Sequence, residues 1–163
     1  MSAQHELNLE IVDWGAAQAR VMPLRMQVFV VEQGVPAELE LDAFDALSRH
    51  ALALNAGGEV VATGRLLPDG HIGRMAVDAR WRGCGIGAAV LEALVAEAAR
   101  RGMEQVMLNA QVQALDFYRR QGFIEEGEPF MEAGIVHRSM RRCCRASGEG
   151  GTGARRKDRA GRS

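Results

Sequence analysis

The chain has 163 residues, 47% hydrophobic and 25% charged, with a formal net charge of −1; this is enough for one globular domain with its own core. No stretch approaches the ~18 apolar residues of a membrane span, and the N-terminal MSAQHELNLEIVDWG has no basic segment leading into an apolar run. A cytoplasmic protein with no membrane partner is expected. Three cysteines, two of them adjacent at Cys143 and Cys144, form neither a disulfide framework nor a zinc pattern. Reduced thiols and no metal site follow.

Charge is uneven along the chain. Residues 141–163 hold seven arginines and one lysine against two acidic residues, a net +6, which leaves −7 on residues 1–140. The reading is a folded domain over residues 1–141 and a basic, disordered tail over residues 142–163 with little to bury. A basic tail is one route to nucleic acid, but a solvated end is the favoured reading. No nucleic-acid partner is therefore expected.

In chain order, Leu7 to Val12 reads as a strand. AAQARVMPLRMQVFVVEQ carries apolar residues at helical spacing, interrupted or entered by Pro23, and PAELELDAFDAL reads as a weak acidic helix or turn. RHALALNA, EVVATGRLL and HIGRMAV are three strands joined by the turns AGGE and LPDG. GAAVLEALVAEAARR is the strongest helix, with Leu91, Leu94, Val95 and Ala98 on one face and Gly102 as its stop. QVMLNA is a buried strand, VQALDFYRRQG a short helix, and FIEEGEPFM with GIVHRSM a last pair of strands. The order β, α, α, β, β, β, α, β, α, β, β implies an α/β fold with a mixed sheet.

The glycines of RGCGIGA stand between a strand and a helix, where unpartnered amides and the helix dipole make an anion site. Three phosphate motifs compete for them. A dinucleotide fingerprint would follow the first strand and be answered by an acidic residue about 20 positions on, yet three strands come first and the answering place is Asn109. A P-loop needs Gly-Lys-Ser or Gly-Lys-Thr, which is missing. The third reading, RxxGxG, takes Arg82, Gly85 and Gly87.

With RxxGxG in place, the chain resembles the GNAT superfamily of N-acetyltransferases. LRMQVFVVEQ, ELDAFDALSRH, LNAQVQALDFYRRQGF and EAGIVHRSM are similar to its ElaA-like subgroup, over about residues 7 to 141. One departure is Val136, where that subgroup usually has proline. The resemblance implies a mostly antiparallel central sheet flanked by helices, with splayed strands, a pyrophosphate-binding loop, and acetyl-CoA as cosubstrate. It assigns the donor to Met75, Ala76, Val77, Arg82, Gly83, Cys84, Gly85, Ile86, Gly87, Asn109 and Tyr118, with charge from Arg82 and backbone contacts from the rest of the loop. Cys84 is read as a permissive loop residue, and Asn109 either contacts the pantetheine arm or caps a turn.

Tyr118, the only tyrosine, is the expected acid, since a phenol with a reference pKa near 10 is protonated at neutral pH. His71, four residues before Met75 and so on the same face by strand period, is a candidate base. The resemblance to the subgroup also implies that Glu32, Glu132 and His137, the further candidate bases, and the carboxylates Glu40 and Asp42 lie on segments around the acceptor cleft; Arg25 and His50 are read as able to order the acidic segment. With no cysteine paired to a base, direct transfer to a primary amine is expected. The alternative is a noncatalytic acyl-CoA-binding module, and a homodimer is left open.

Overall fold

The computed structural model describes residues 7–144. In order these form β1 (Asn8–Val12), α1 (Trp14–Arg25), a π-helical extension (Met26–Glu32), α2 (Ala37–Glu40), β2 (Arg49–Leu54), β3 (Val60–Leu66), β4 (Ile72–Val77), α3 (Ile86–Arg100), β5 (Gln105–Gln111), α4 (Leu115–Arg120), β6 (Ile124–Glu132) and β7 (Ile135–Cys143). The strands make two antiparallel sheets, β1-β2-β3-β4 and β5-β7-β6. The expected mixed sheet is thus two sheets in contact. They meet at one parallel bridge, His71 with Met107, where the Met107 N–H donates to the Gly70 carbonyl at 3.0 Å.

β2 and β3 are buried along almost their whole length, because α3 covers one face and α1 the other. Ala51 and Ala53 pack in the main core with Leu91, Leu94, Val95 and Ala98 of α3. Leu52, pointing the opposite way, packs against Ala17 and Val21 of α1. That double cover explains the near-continuous apolar runs. α1 begins at Asp13, whose Oδ1 accepts the Ala16 N–H at 3.0 Å, a side-chain cap for one of the orphan donors.

Pro23 neither opens nor breaks this helix. It lies inside α1, and from Met26 the turns widen to π geometry, with the Gln33 N–H reaching back five residues to the Val28 carbonyl at 3.1 Å. Such widened turns recur beside functional sites.

The segment PAELELDAFDAL, expected as an acidic turn, is held down by a buried ion network. Arg25 donates to Glu40 Oε2 at 2.5 Å and to Asp45 Oδ1 at 2.9 Å. Arg65 donates to Asp42 Oδ1 at 2.7 Å and Asp45 Oδ1 at 2.8 Å. Arg25, Glu40 and Asp45 are each 1% exposed. His50 Nε2 lies 2.9 Å from the Asp45 carbonyl, so Arg25 and His50 do order this segment.

The domain also runs past the expected boundary at residue 141. β7 continues to Cys143, paired with Gln105, and Cys144 sits in the main core, its N–H donating to the Glu104 carbonyl at 3.0 Å. Arg141 and Arg142, counted with the basic end, are strand residues paired with Glu126 and Glu92. The remaining expected tail, residues 145–163, lies outside the described residues.

Burial pushes the Asp45 carboxyl up, but the hydrogen bonds and charges of Arg25 and Arg65 outweigh it and hold Asp45 below its ordinary value. The same balance, with Arg65 and Arg74 as partners, lowers Asp42. Depressed folded-state values mean that this stabilisation is complete above about pH 4 and lost as pH falls through them. Asp45→Asn removes one carboxylate partner from each of two buried guanidinium groups, which keep Glu40 and Asp42, and is expected to cost about 1.5–3 kcal/mol. Thermal melts of both proteins from neutral to acid pH check this: the gap between them is expected to close below about pH 4.

Candidate active site

The first cavity lies beside the loop between β4 and α3. Asp78 Oδ1 accepts the Arg80 N–H at 2.9 Å and starts a short turn. Gly83 and Gly85 then take φ of +83° and +84°, a left-handed conformation that only glycine adopts freely. A side chain built on either glycine would meet nothing within 4 Å. Both open onto a cavity of about 450 Å³, bounded by Val77, Trp81, Gly87 and Tyr118 among others. The first amides of α3 have no helical partner and face this end. Loop and cavity therefore suit a polyanion continued by a slender chain.

Other donor candidates divide by orientation. Ile86 is 3% exposed and belongs to the core, so only its backbone is available. Cys84 is exposed and makes one weak contact, to the Arg82 carbonyl at 3.9 Å. Ala76 packs with Leu24 and Val28 on the α1 side, away from the cavity. The Asp78 N–H donates to Val61 on β3 at 2.8 Å, and strand alternation turns the Val77 N–H toward the gap before β5.

Arg82 is not free to serve the anion with its whole charge. Its Nε donates to the Val77 carbonyl at 2.9 Å and its Nη2 to Glu32 Oε1 at 2.6 Å. Glu32, expected among the bases, therefore clamps the phosphate loop to the end of the π-helical segment. The pair neutralises itself.

A second cavity of about 630 Å³ lies on the other side of β4, walled by the π-helical segment, the acidic segment, β5 and the β6–β7 turn. His71, Asn109, Glu132 and His137 all line it. Met75 and Tyr118 line both cavities, so the two spaces meet at these side chains.

β4 is not a regular strand across this junction. Gly73 pairs with Arg65 and Ala76 with Thr63, so Arg74 and Met75 together oppose Gly64 alone. Arg74 absorbs the extra residue with φ of +50°, a bulge. The bulge resets alternation: Met75 packs in the same core as Ile72, and the argument placing His71 and Met75 on one face by period two fails. His71 reaches the cleft from the strand's start, one residue outside β4.

Two histidines have defined tautomers. His137 Nδ1 lies 2.7 Å from the Ile135 carbonyl, which can only accept, so Nδ1 carries the proton and Nε2 is the basic nitrogen. His71 Nδ1 lies 3.0 Å from Asp69 Oδ2, while Asp69 Oδ1 accepts the His71 backbone N–H at 3.0 Å. Asp69 thus grips both ends of one residue and leaves His71 Nε2 as its base. Asn109 caps no turn: β5 runs on to Gln111, and Asn109 Nδ2 donates to Glu132 Oε1 at 3.3 Å.

Tyr118 is held edge-on between Phe117 and Phe123, with centroids 5.0 and 5.9 Å away. Burial pushes its pKa up to about 12. Glu40 and Asp42 also border the second cavity, but both are tied to arginines. Arg65 and Arg74 escaped the sequence reading although they interrupt apolar strands opposite an acidic segment. That complementarity was the available signal.

Two antiparallel sheets parting around β4 and β5, with an anion loop opening α3, define an acyl-CoA-dependent acyltransferase fold. Residues 15–144 match the family described as Acetyltransferase (GNAT) domain, and the chain belongs to that family. It is similar to the uncharacterized N-acetyltransferase YjcF of Bacillus subtilis, 37% identical over 72% of this chain and 86% of the relative. Among solved structures it is similar to an acyl-CoA N-acyltransferase of Pseudomonas aeruginosa, 31% identical with a TM-score of 0.75, over 84% of this chain and 99% of that one. Escherichia coli ElaA is 28% identical with a TM-score of 0.74 over the same shares.

Gly87 has room for a small side chain, since an added Cβ would touch Val77 and Phe117 at ordinary distances of 3.5 and 3.6 Å. Gly87→Leu should therefore fold but fill the donor cavity. Acetyl-CoA affinity by calorimetry is expected to fall about tenfold or more, the equivalent of one charge-assisted hydrogen bond. Unchanged affinity in a folded variant would remove the loop from the donor site.

Proposed function

We propose that this chain transfers an acetyl group from acetyl-CoA directly to a primary amine, on a small molecule or an exposed amino group, in the cytoplasm. The observation that carries the reading is the meeting of two cavities at Met75 and Tyr118. One has the shape and amides for the donor, and the other gathers the bases. The donor supplies the activated thioester carbonyl.

The fit of the donor rests on backbone. Open glycines at 83 and 85 admit a pyrophosphate, amides of the α3 N-terminus hold it, and the Val77 N–H faces the gap where the pantetheine arm would run. On the acceptor side, His71 Nε2 or His137 Nε2 takes the proton that an ammonium must lose before nitrogen can attack. As the N–C bond forms and the C–S bond breaks, Tyr118 offers its O–H to the departing sulfur.

The raised pKa refines that last role. A phenol near 12 holds its proton more tightly than a thiol with a reference value of about 8.5, so Tyr118 serves chiefly as a hydrogen-bond donor that stabilises the charge building on sulfur, and the thiolate leaves as the anion or is protonated by solvent. Tyr118→Phe keeps the ring between Phe117 and Phe123 and removes the donor. Turnover at saturating acetyl-CoA is expected to fall by about 100-fold to 10,000-fold with coenzyme affinity retained. In the wild type no alkaline loss from Tyr118 is expected below about pH 11. Wild-type turnover in the phenylalanine variant across pH would remove Tyr118 from the chemistry.

A further inference from the structure

The walls of the acceptor cleft carry more information than the presence of bases. Its ionised side chains are matched almost completely. Arg65 is spent on Asp42 and Asp45. Arg74 donates to the Glu40 and Leu39 carbonyls and to Asp42 at 3.0, 3.2 and 3.2 Å; one of its Nη atoms stays unbonded, but Asp42 balances its charge.

Glu132 is the exception. Glu132 is exposed, and among the described residues no cationic nitrogen lies within 4 Å of its carboxylate, whose sole side-chain hydrogen bond comes from the neutral Asn109 amide. That amide is itself oriented, because the Ser139 hydroxyl donates to Asn109 Oδ1 at 3.2 Å. The following turn also fixes Glu132: Ala133 and Gly134 take φ of +52° and +77°, the paired positive values of a tight hairpin turn. Ser139, Asn109 and the turn together aim a carboxylate with a spare oxygen at the cleft.

An independent observation comes from the opposite wall. Glu40 is 1% exposed and borders the cleft. Its Oε2 takes the Arg25 donor, whereas Oε1 has no hydrogen-bond partner among the described residues. A buried acceptor without a donor is costly unless something supplies one. Arg65 Nε on the same wall is likewise buried without an acceptor, so these two atoms offset each other, and the further lone pairs come from the Nε2 atoms of His71 and His137 and the spare oxygen of Glu132, around the apolar side chains of Phe29, Leu108 and Ile135.

We propose that the acceptor is an alkyl diamine, with one nitrogen at the junction of the cavities and a second, charged nitrogen held by Glu132. The methylene chain lies against the apolar side chains, and the remote ammonium gives Glu132 the cationic partner it lacks. This assignment rests on the amine-acetylation reading above. It makes Glu132 a specificity-determining counter-charge, not the base.

The test measures thiol release from saturating acetyl-CoA by the full chain, with n-alkylamines, α,ω-diamines of matching length and ω-amino carboxylates. Diamines are expected to exceed monoamines by roughly tenfold or more in kcat/KM, an advantage that shrinks as salt rises. In Glu132→Gln the diamine-to-monoamine ratio should collapse toward one while acetyl-CoA affinity by calorimetry is retained; Asn109→Ala should reduce the ratio in part. An equal loss on both amine classes in Glu132→Gln would make Glu132 the base and overturn the assignment. Equal wild-type rates for mono- and diamines, or a preference for amino carboxylates, would also overturn it while leaving amine acetylation standing. Absence of release with every amine would overturn both.

Discussion

The structure turns on the separation of β4 from β5. The two strands touch at the His71–Met107 bridge, and beyond it each keeps its own sheet, β4 pairing with β3 and β5 with β7. A strand edge left unpaired inside a protein exposes backbone groups that must find partners. Here that edge opens between two cavities, where a ligand chain with amides of its own would satisfy it. The gap between the sheets is thus an unmet hydrogen-bonding demand at the junction of the two cavities.

Keeping the gap open takes rigid walls on both sides. α3 packs its apolar face on β3 and β4, which holds the phosphate loop at its N-terminus. The acidic segment cannot be held by apolar packing alone, since Leu39, Leu41, Phe44 and Leu47 are exposed. Arg25, Arg65 and Arg74 hold it instead, and a buried pair of this kind trades some net stability for a defined geometry. Arg74 illustrates the trade: it occupies a left-handed backbone position costing about 1–2 kcal/mol for a non-glycine residue, and its side chain pins the carbonyls at the end of α2.

Much of this was legible in the sequence, and the failures have identifiable causes. Elements with one strong period, β2, β3 and α3, appear where their apolar residues indicated. β7 ran beyond its expected end because Arg141 and Arg142 read as the start of a basic tail. In the folded chain their charges meet Glu126 and Glu92, partners no local window contains. The His71 argument failed for a related reason: a bulge at Arg74 has no signature in the alternation of IGRMAV and follows from β3 opposing two residues with Gly64.

The two halves of the site differ in kind, and that difference governs what each sequence motif can reveal. In the proposed reading donor recognition uses backbone amides, so its signature is the absence of side chains at Gly83 and Gly85 and the start of a helix, both contiguous in sequence. The cavity proposed for the acceptor is lined by side chains from the π-helical segment, α2, β3, β4, β5, α4 and the β6–β7 turn, drawn from positions 29 to 137. No short motif can encode a surface assembled from so many elements. Such a cleft can exchange one wall residue without disturbing the glycine loop before α3, because Met75 and Tyr118 are the lining residues that the two cavities share. Family membership is therefore legible in the contiguous loop, while the proposed choice of amine rests on local details such as the pairing of one carboxylate.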